Sequence, residues 1–272
     1  MTYNILPGTY TEQIEIGEFL GSSAANTVTV QSYTGSASDV TWQSTPTSTN
    51  NYVLKINDTD HLTIKNITFD ASTSSSYSTT LDITGTTDSL LIQGNVFIGY
   101  DYNGNSANNY LVESNSNSGT GMVFTGNTFT EGGYGLYIYN GAADDGALKV
   151  TNNVFSGQYN GIYIYSVDSV EVSGNTVTGA ISAGIYTTQC DPVTVTGNKV
   201  VGGSSSTGIK IQNAYGDSTE RSLVANNMVN SGYSGIYTYS SNYIDIYYNT
   251  VINLGTSTST SYGRFISTIQ VM

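Results

Sequence analysis

Apolar and polar positions alternate with period 2 in short bursts along this chain. Residues 161–177, GIYIYSVDSVEVSGNTV, show the pattern most clearly. Ile162 and Ile164 alternate with Tyr163 and Tyr165. Val170 and Val172 alternate with Glu171 and Ser173, and Asn175 and Val177 follow Gly174. Side-chain period 2 in runs this short predicts strands, too brief for hairpin arms and too polar on one side for a helix.

The unit recurs. Its asparagine returns as Asn95, Asn127, Asn153, Asn175, Asn198, Asn227 and Asn249, at steps of 22 to 32 residues. The strand before it returns at Leu54, Leu81, Leu136, Ile162, Ile185, Ile209 and Ile236. The middle strand returns as Leu62/Ile64, Leu90/Ile92, Met122/Phe124, Leu148/Val150, Val170/Val172, Val193/Val195 and Ile244/Ile246. Length variation is confined to Gly/Ser/Asn-rich joins. This pattern predicts an all-β fold, a right-handed single-stranded parallel β-helix of about ten coils with three strands each. Equivalent strands would stack about 4.8 Å apart. The repeated asparagine then forms an internal ladder: its amide bonds backbone groups of its own turn and the amide of the next coil. Recurrence in every coil argues for a structural role, since a catalytic asparagine would occur once.

The sequence divides into residues 1–50, with less regular coils, and residues 52–272, with regular repeats, in one domain spanning 1–272. ILPGTYTEQIEI reads as a turn at Pro7-Gly8 and then a strand with Ile14 and Ile16 inward. Trp42 is expected to plug the first coil. Ile67 holds the place later taken by asparagine, so the ladder should begin at Asn95. The chain starts near strand-like sequence and stops inside the alternation RFISTIQVM. Uncovered coils expose strand edges, so an excised segment of a longer chain is expected; a subunit stacking end to end is the alternative.

A formal net charge of −13 makes nucleic acid or an anionic membrane surface a poor partner. Cys190 is the single cysteine, so no internal disulfide is expected. No apolar run is long enough to span a membrane, and no signal peptide is visible in this segment.

At this point a resemblance emerges. The coils around GIYIY…VEVSGNTV resemble the right-handed parallel β-helix repeats of the pectin lyase-like superfamily. The opening (ILPGTYTEQIEI, SSAANTVTVQSYTGSASDV, NNYVLKINDTDHLTIKNITFDAS) is similar to β-helix regions of large secreted surface proteins of Bacteroidota. The resemblance covers essentially the whole chain and implies an extracellular or cell-surface location. It does not imply one activity, because that superfamily holds lyases, hydrolases, esterases, adhesins and structural domains.

Catalytic residues are not recognisable from the sequence. Lyase-like chemistry would need an Arg or Lys base beside acidic calcium ligands. Arg221 follows Asp217 and Glu220 in one loop, with no acidic ladder expected on neighbouring coils, and Lys210 is the one basic residue on an outward stripe. Polygalacturonase-like hydrolysis would need clustered Asp residues, but Asp168, Glu171, Asp191 and Asp245 look scattered. His61, the only histidine, reads as a turn residue. Pectin methylesterase-like motifs are absent. No cofactor is required by any motif; Ca2+ is a candidate at Asp101, Asn103 and Asn105, whose oxygens alternate as in calcium loops, and a second acidic turn lies at Asp144-Asp145-Gly146. One Cys and one His make zinc implausible.

The outward positions give the best binding candidate. Tyr137, Tyr163, Tyr186, Lys210 and Tyr237 should form one column, and Tyr139, Tyr165, Thr188, Gln212 and Tyr239 a second. The candidate ligand-binding residues are therefore Tyr137, Tyr139, Tyr163, Tyr165, Tyr186, Tyr237 and Tyr239. Aromatic faces of this kind suit sugar rings or a protein surface, although stacked tyrosines also stabilise a sheet without any ligand. The expected function is a non-catalytic stalk or adhesin-like module of a surface protein. Its candidate partners are a polysaccharide or another cell-surface protein, with the module itself a monomer. A polysaccharide lyase or glycoside hydrolase segment and a self-stacking subunit are the alternatives.

Overall fold

A computed structural model of the chain describes residues 1–74, 76–102, 104–106, 108–115, 119–139 and 147–253. Short strands run from Thr2–Ile5 to Thr250–Asn253 and assemble into three parallel sheets, two of ten strands and one of nine. Successive strands along the chain go to sheet 1, sheet 2 and sheet 3 in rotation, so each coil lies on the previous one. The molecule is a parallel β-helix.

The regular bend between sheets 1 and 2 has a local cause. The residue before each ladder position is left-handed: Asn66, Gly94, Gly126, Asn152, Gly174, Gly197, Asn226 and Tyr248 have φ between 56° and 66° (Gly94 and Gly197 at 65°, Gly126 and Gly174 at 66°, the others at 56° or 57°). Glycine and asparagine tolerate that region best, which accounts for the recurring Gly-Asn and Asn-Asn pairs.

Behind each bend the asparagine side chain points inward. Asn175 Nδ2 donates to the Val150 carbonyl at 2.8 Å and to Asn198 Oδ1 at 3.0 Å. Its Oδ1 accepts from the Asn153 backbone N–H at 2.9 Å and from Asn153 Nδ2 at 3.0 Å. The same pattern runs from Asn95 to Asn249, with amide-to-amide distances of 2.9 to 3.3 Å (3.3 Å for Asn95 to Asn127, 2.9 Å for Asn227 to Asn249). Above it, Asn95 Oδ1 accepts from the Ile67 N–H, so the column starts beneath Ile67. Burial without water is tolerable because each interior amide uses all of its hydrogen-bonding groups.

The core is built of columns as well. On sheet 2, Trp42, Phe69, Phe97, Phe129 and Phe155 are in register, with ring centroids separated by 5.6, 5.3, 5.0 and 4.4 Å in turn. Val177, Val200, Val229 and Val251 continue the column. Trp42 does not plug the first coil. A whole coil precedes it, Tyr10 pairs with it in register, and its ring edge packs on Phe69.

Sheet 3 faces that column across a narrow interior. A Cβ at Gly135 would sit 2.6 Å from Phe155 Cδ1, and one at Gly184 or Gly208 would sit 2.3 or 2.2 Å from Val200 or Val229 Cγ1. The glycine opening each G-φ-Y-φ strand is therefore fixed by packing. Some coils depart from the repeat. Strand Tyr110–Asn115 puts Val112 and buried Ser114 in the inward places. In strand Ser222–Ala225 the buried Ser222 hydroxyl accepts from the Val193 N–H at 3.0 Å.

Replacing Asn175 by Ala strands a carbonyl, an N–H and two neighbouring amides, and should remove about 3 kcal/mol or more of stability. Urea unfolding measures it, and a loss under about 0.5 kcal/mol would contradict the column's role. Gly184→Ala should destabilise by about 1–3 kcal/mol through overpacking. Adding Val200→Ala should recover part of that loss, since only the clash with the Gly208 carbonyl then remains; strictly additive losses would contradict the packing explanation.

Candidate functional site

The outward side of sheet 3 carries the candidate residues. Its register runs Glu15, Lys55, Asp82, Glu113, Tyr137, Tyr163, Tyr186, Lys210, Tyr237. Two residues on, Asn115, Tyr139, Tyr165, Thr188, Gln212 and Tyr239 form the adjacent column. This face therefore has a charged end and an aromatic end, and only the aromatic end was legible in the strand repeat.

The tyrosines do not form one continuous face. Tyr137, Tyr139, Tyr163, Tyr165 and Tyr186 lie together, and Tyr110 and Tyr134 join them from the start of their strands. Tyr237 and Tyr239 stand apart, beyond the coil that carries Lys210 and Gln212. At that boundary the Tyr186 hydroxyl donates to Gln212 Oε1 at 2.7 Å, and Lys210 Nζ lies 4.0 Å from the Tyr186 ring centre.

Ring orientation changes what the face offers. Tyr137 and Tyr163 are parallel within 1° at 5.3 Å, and Tyr139 and Tyr165 within 16° at 4.8 Å. Rings stacked in this way cover one face of each partner, and all four side chains stay partly exposed. Burial, and then the neighbouring Tyr186, pushes the Tyr163 phenol above its ordinary range, so it stays a protonated donor at neutral pH.

Sequence inspection also missed a carboxyl pair. Asp82 and Glu113 are register partners on adjacent coils, both half-buried. Burial, reinforced by the charge on Asp82, pushes Glu113 up to about 7. Burial raises Asp82 too; Lys55 opposes that shift and Glu15 adds to it. The two residues fall 31 positions apart across a long join, outside any local pattern.

Other candidates are placed differently. Arg221 does have an acid on the next coil: its Nε and Nη2 donate to Asp245 at 2.8 and 2.6 Å. This forked, exposed pair raises the guanidinium and lowers the Asp245 carboxyl. Asp217 accepts from Thr219 and Glu220 within its own turn. His61 is a left-handed corner residue with φ 53°; beside it, Asp58 and Asp60 accept backbone N–H groups of Thr86 and Asp88 on the next coil. Asp101 lies against Glu131 of the neighbouring coil, whose carboxyl is raised by burial and by Asp101. Asn105 is exposed, and Asn103 and the Asp144-Asp145-Gly146 turn lie outside the described residues. Among the described residues no three His, Cys, Asp or Glu side chains gather as a metal site, and no helix is long and apolar enough to cross a membrane.

A family model described as periplasmic copper-binding protein (NosD) matches residues 18–263. Comparison with curated proteins gives no match. Among solved structures, the Dettilon tailspike protein aligns at 12% identity with a TM-score of 0.31, over 87% of this chain and 61% of the tailspike chain. The present chain thus spans less than two thirds of that protein.

Among the described residues the donors do not fit copper, which favours imidazole, thiolate and thioether ligands. His61 precedes the third strand of sheet 1 and Cys190 the eighth. Cys190 is fully buried, in the corner position that Val167 and Ala214 fill on the adjoining coils. Its thiol is pushed up to about 12, chiefly by burial. Met122 is buried as well, and the exposed thioethers of the described residues stand far apart, Met1 before the first strand of sheet 1 and Met228 at the start of the ninth strand of sheet 2. A thiol-specific disulfide reagent should therefore leave the native protein unlabelled and label one thiol per chain in denaturant; rapid native labelling would contradict this packing. The family match runs from the second coil to the last of the described coils, and this chain belongs to the NosD family.

Proposed function

We propose that this chain is a non-catalytic β-helix module, working outside the cytoplasm, that holds a polysaccharide along the tyrosine stripe of sheet 3. The family description is periplasmic, in keeping with that location. The carrying observation is the in-register pairing of Tyr137 with Tyr163 and of Tyr139 with Tyr165. It sets pairs of phenol edges at the coil repeat of about 4.8 Å, close to the length of one pyranose unit. Ring edges and hydroxyls at that interval suit the hydroxyl-rich side of an extended sugar chain, and stacking fixes the rings in advance, which lowers the ordering entropy lost on binding. The arrangement differs from a platform of open ring faces, because one face of each of these rings is already covered.

The basic side chains considered for lyase chemistry are engaged elsewhere: Lys210 covers Tyr186 and Arg221 is held by Asp245. Screening the purified chain on an array of bacterial and plant polysaccharides tests the reading. Binding should appear and weaken about tenfold in Tyr163→Ala, equivalent to about 1.4 kcal/mol. Tyr237→Ala, on the separate patch, should have a smaller effect. No binding to any glycan, or equal binding by Tyr163→Ala, would reject it.

A further inference from the structure

The charged end of the same face meets its aromatic end at one strand, Tyr110–Asn115. Glu113 has Asp82 as its register partner on one side and Tyr137 on the other. Lys55 stands beyond Asp82, and Glu15 beyond Lys55, so the cation at this end of the column neighbours Asp82 and not Glu113, while the column's other lysine, Lys210, lies four coils beyond Glu113. From its own strand Glu113 is faced by Tyr110 and by Asn115, whose amide hydrogen-bonds it. Tyr110 is only 6% exposed, and its ring lies 4.7 Å from Tyr137 and 5.1 Å from Tyr134. Two half-buried carboxylates about one coil apart are hard to ionise together.

We propose that Asp82 and Glu113 form a proton-dependent latch joining the acidic and aromatic halves of this face. With a proton on Glu113, its side chain stays seated beside Tyr110 and Tyr137. When that proton leaves for solvent, two negative charges stand side by side, the Glu113 carboxylate moves out to water, and the rings above it lose their seat. The pair titrates as a unit, so its steps belong to both residues.

The direction of the pH effect follows from the shift. The Glu113 carboxyl rises from 4.5 to about 7 on folding. The folded chain therefore holds that proton more tightly than the unfolded chain. The stabilisation is complete below about 4.5 and is lost as pH rises through about 7. Weaker glycan holding above that pH also follows, but this consequence rests on the reading of the stripe given above; the latch itself does not.

The test follows the tyrosine near-ultraviolet circular dichroism and the thermal midpoint of the full chain from about pH 5 to 9. In the native sequence the dichroism should fall with a midpoint near 7, and the thermal midpoint should fall from about pH 5 to about 7 and level off above it. Glu113→Gln should keep the low-pH signal throughout. Asp82→Asn should move the midpoint to lower pH. A flat native profile, or an unchanged slope in Glu113→Gln, overturns the latch. Should Glu113→Gln fail to fold, carbon NMR of the native Glu113 carboxyl decides: titration near 7 supports the latch, and titration near 4.5 overturns it. Glycan binding measured across the same range separates the two readings. Binding that is absent at every pH rejects the stripe as a glycan site and leaves the latch to be judged on the spectra.

Discussion

A parallel solenoid works only if every coil lands on the last with the same rotation, and here the buried amide column enforces that. Each interior asparagine accepts from the backbone and side chain of the coil before it and donates to the coil after it. Slipping one coil by a single residue would turn the amide away from its partners and exchange the inward and outward sets of its strand. Each orphaned group left inside would cost roughly 1–3 kcal/mol, enough to outweigh any other contact in the coil. Alignment at this corner propagates into sheets 1 and 2, which flank it, and so to the phenylalanine column and the tyrosine stripe. The ordering of the outer face depends on hydrogen bonds that no solvent reaches.

Much of this was readable because the constraint repeats. Asn127, Asn153, Asn175 and Asn198 keep an apolar residue three before and two after, and those positions are the buried pairs flanking the bend. The reason for the glycine in GIYIY was not readable, because it depends on Val177, a residue of the same coil that reaches it across the interior. The strand at Ser222 escaped notice because a hydroxyl replaces a methyl-bearing side chain and makes up the difference with a hydrogen bond. Trp42 was misplaced because residues 1–50 repeat too loosely to show that a complete coil precedes it.

The site was less legible than the fold for a physical reason. The columns of Tyr137 and Tyr139 follow from strand alternation, but ring orientation does not, and it decides whether faces or hydroxyls meet a ligand. Asp82 with Glu113, and Arg221 with Asp245, are neighbours only through the coil repeat. Their sequence separation passes through joins of variable length, where local spacing carries no information. The NosD family assignment sharpens the same lesson. Its description speaks of copper, while the lone thiol of this chain fills a core position and its lone imidazole turns a corner five strands away along sheet 1.

Side-chain amide hydrogen exchange, followed by NMR, tests the amide column most directly. The Nδ2 protons of Asn127, Asn153, Asn175, Asn198 and Asn227 should exchange as slowly as the core backbone amides, because each donates to a buried acceptor above or below. Exposed asparagines such as Asn105 should exchange at the rate of free amides. If the column asparagines exchanged as fast as these, no continuous buried amide column would exist, and the stacking that organises both faces of the helix would have to be abandoned.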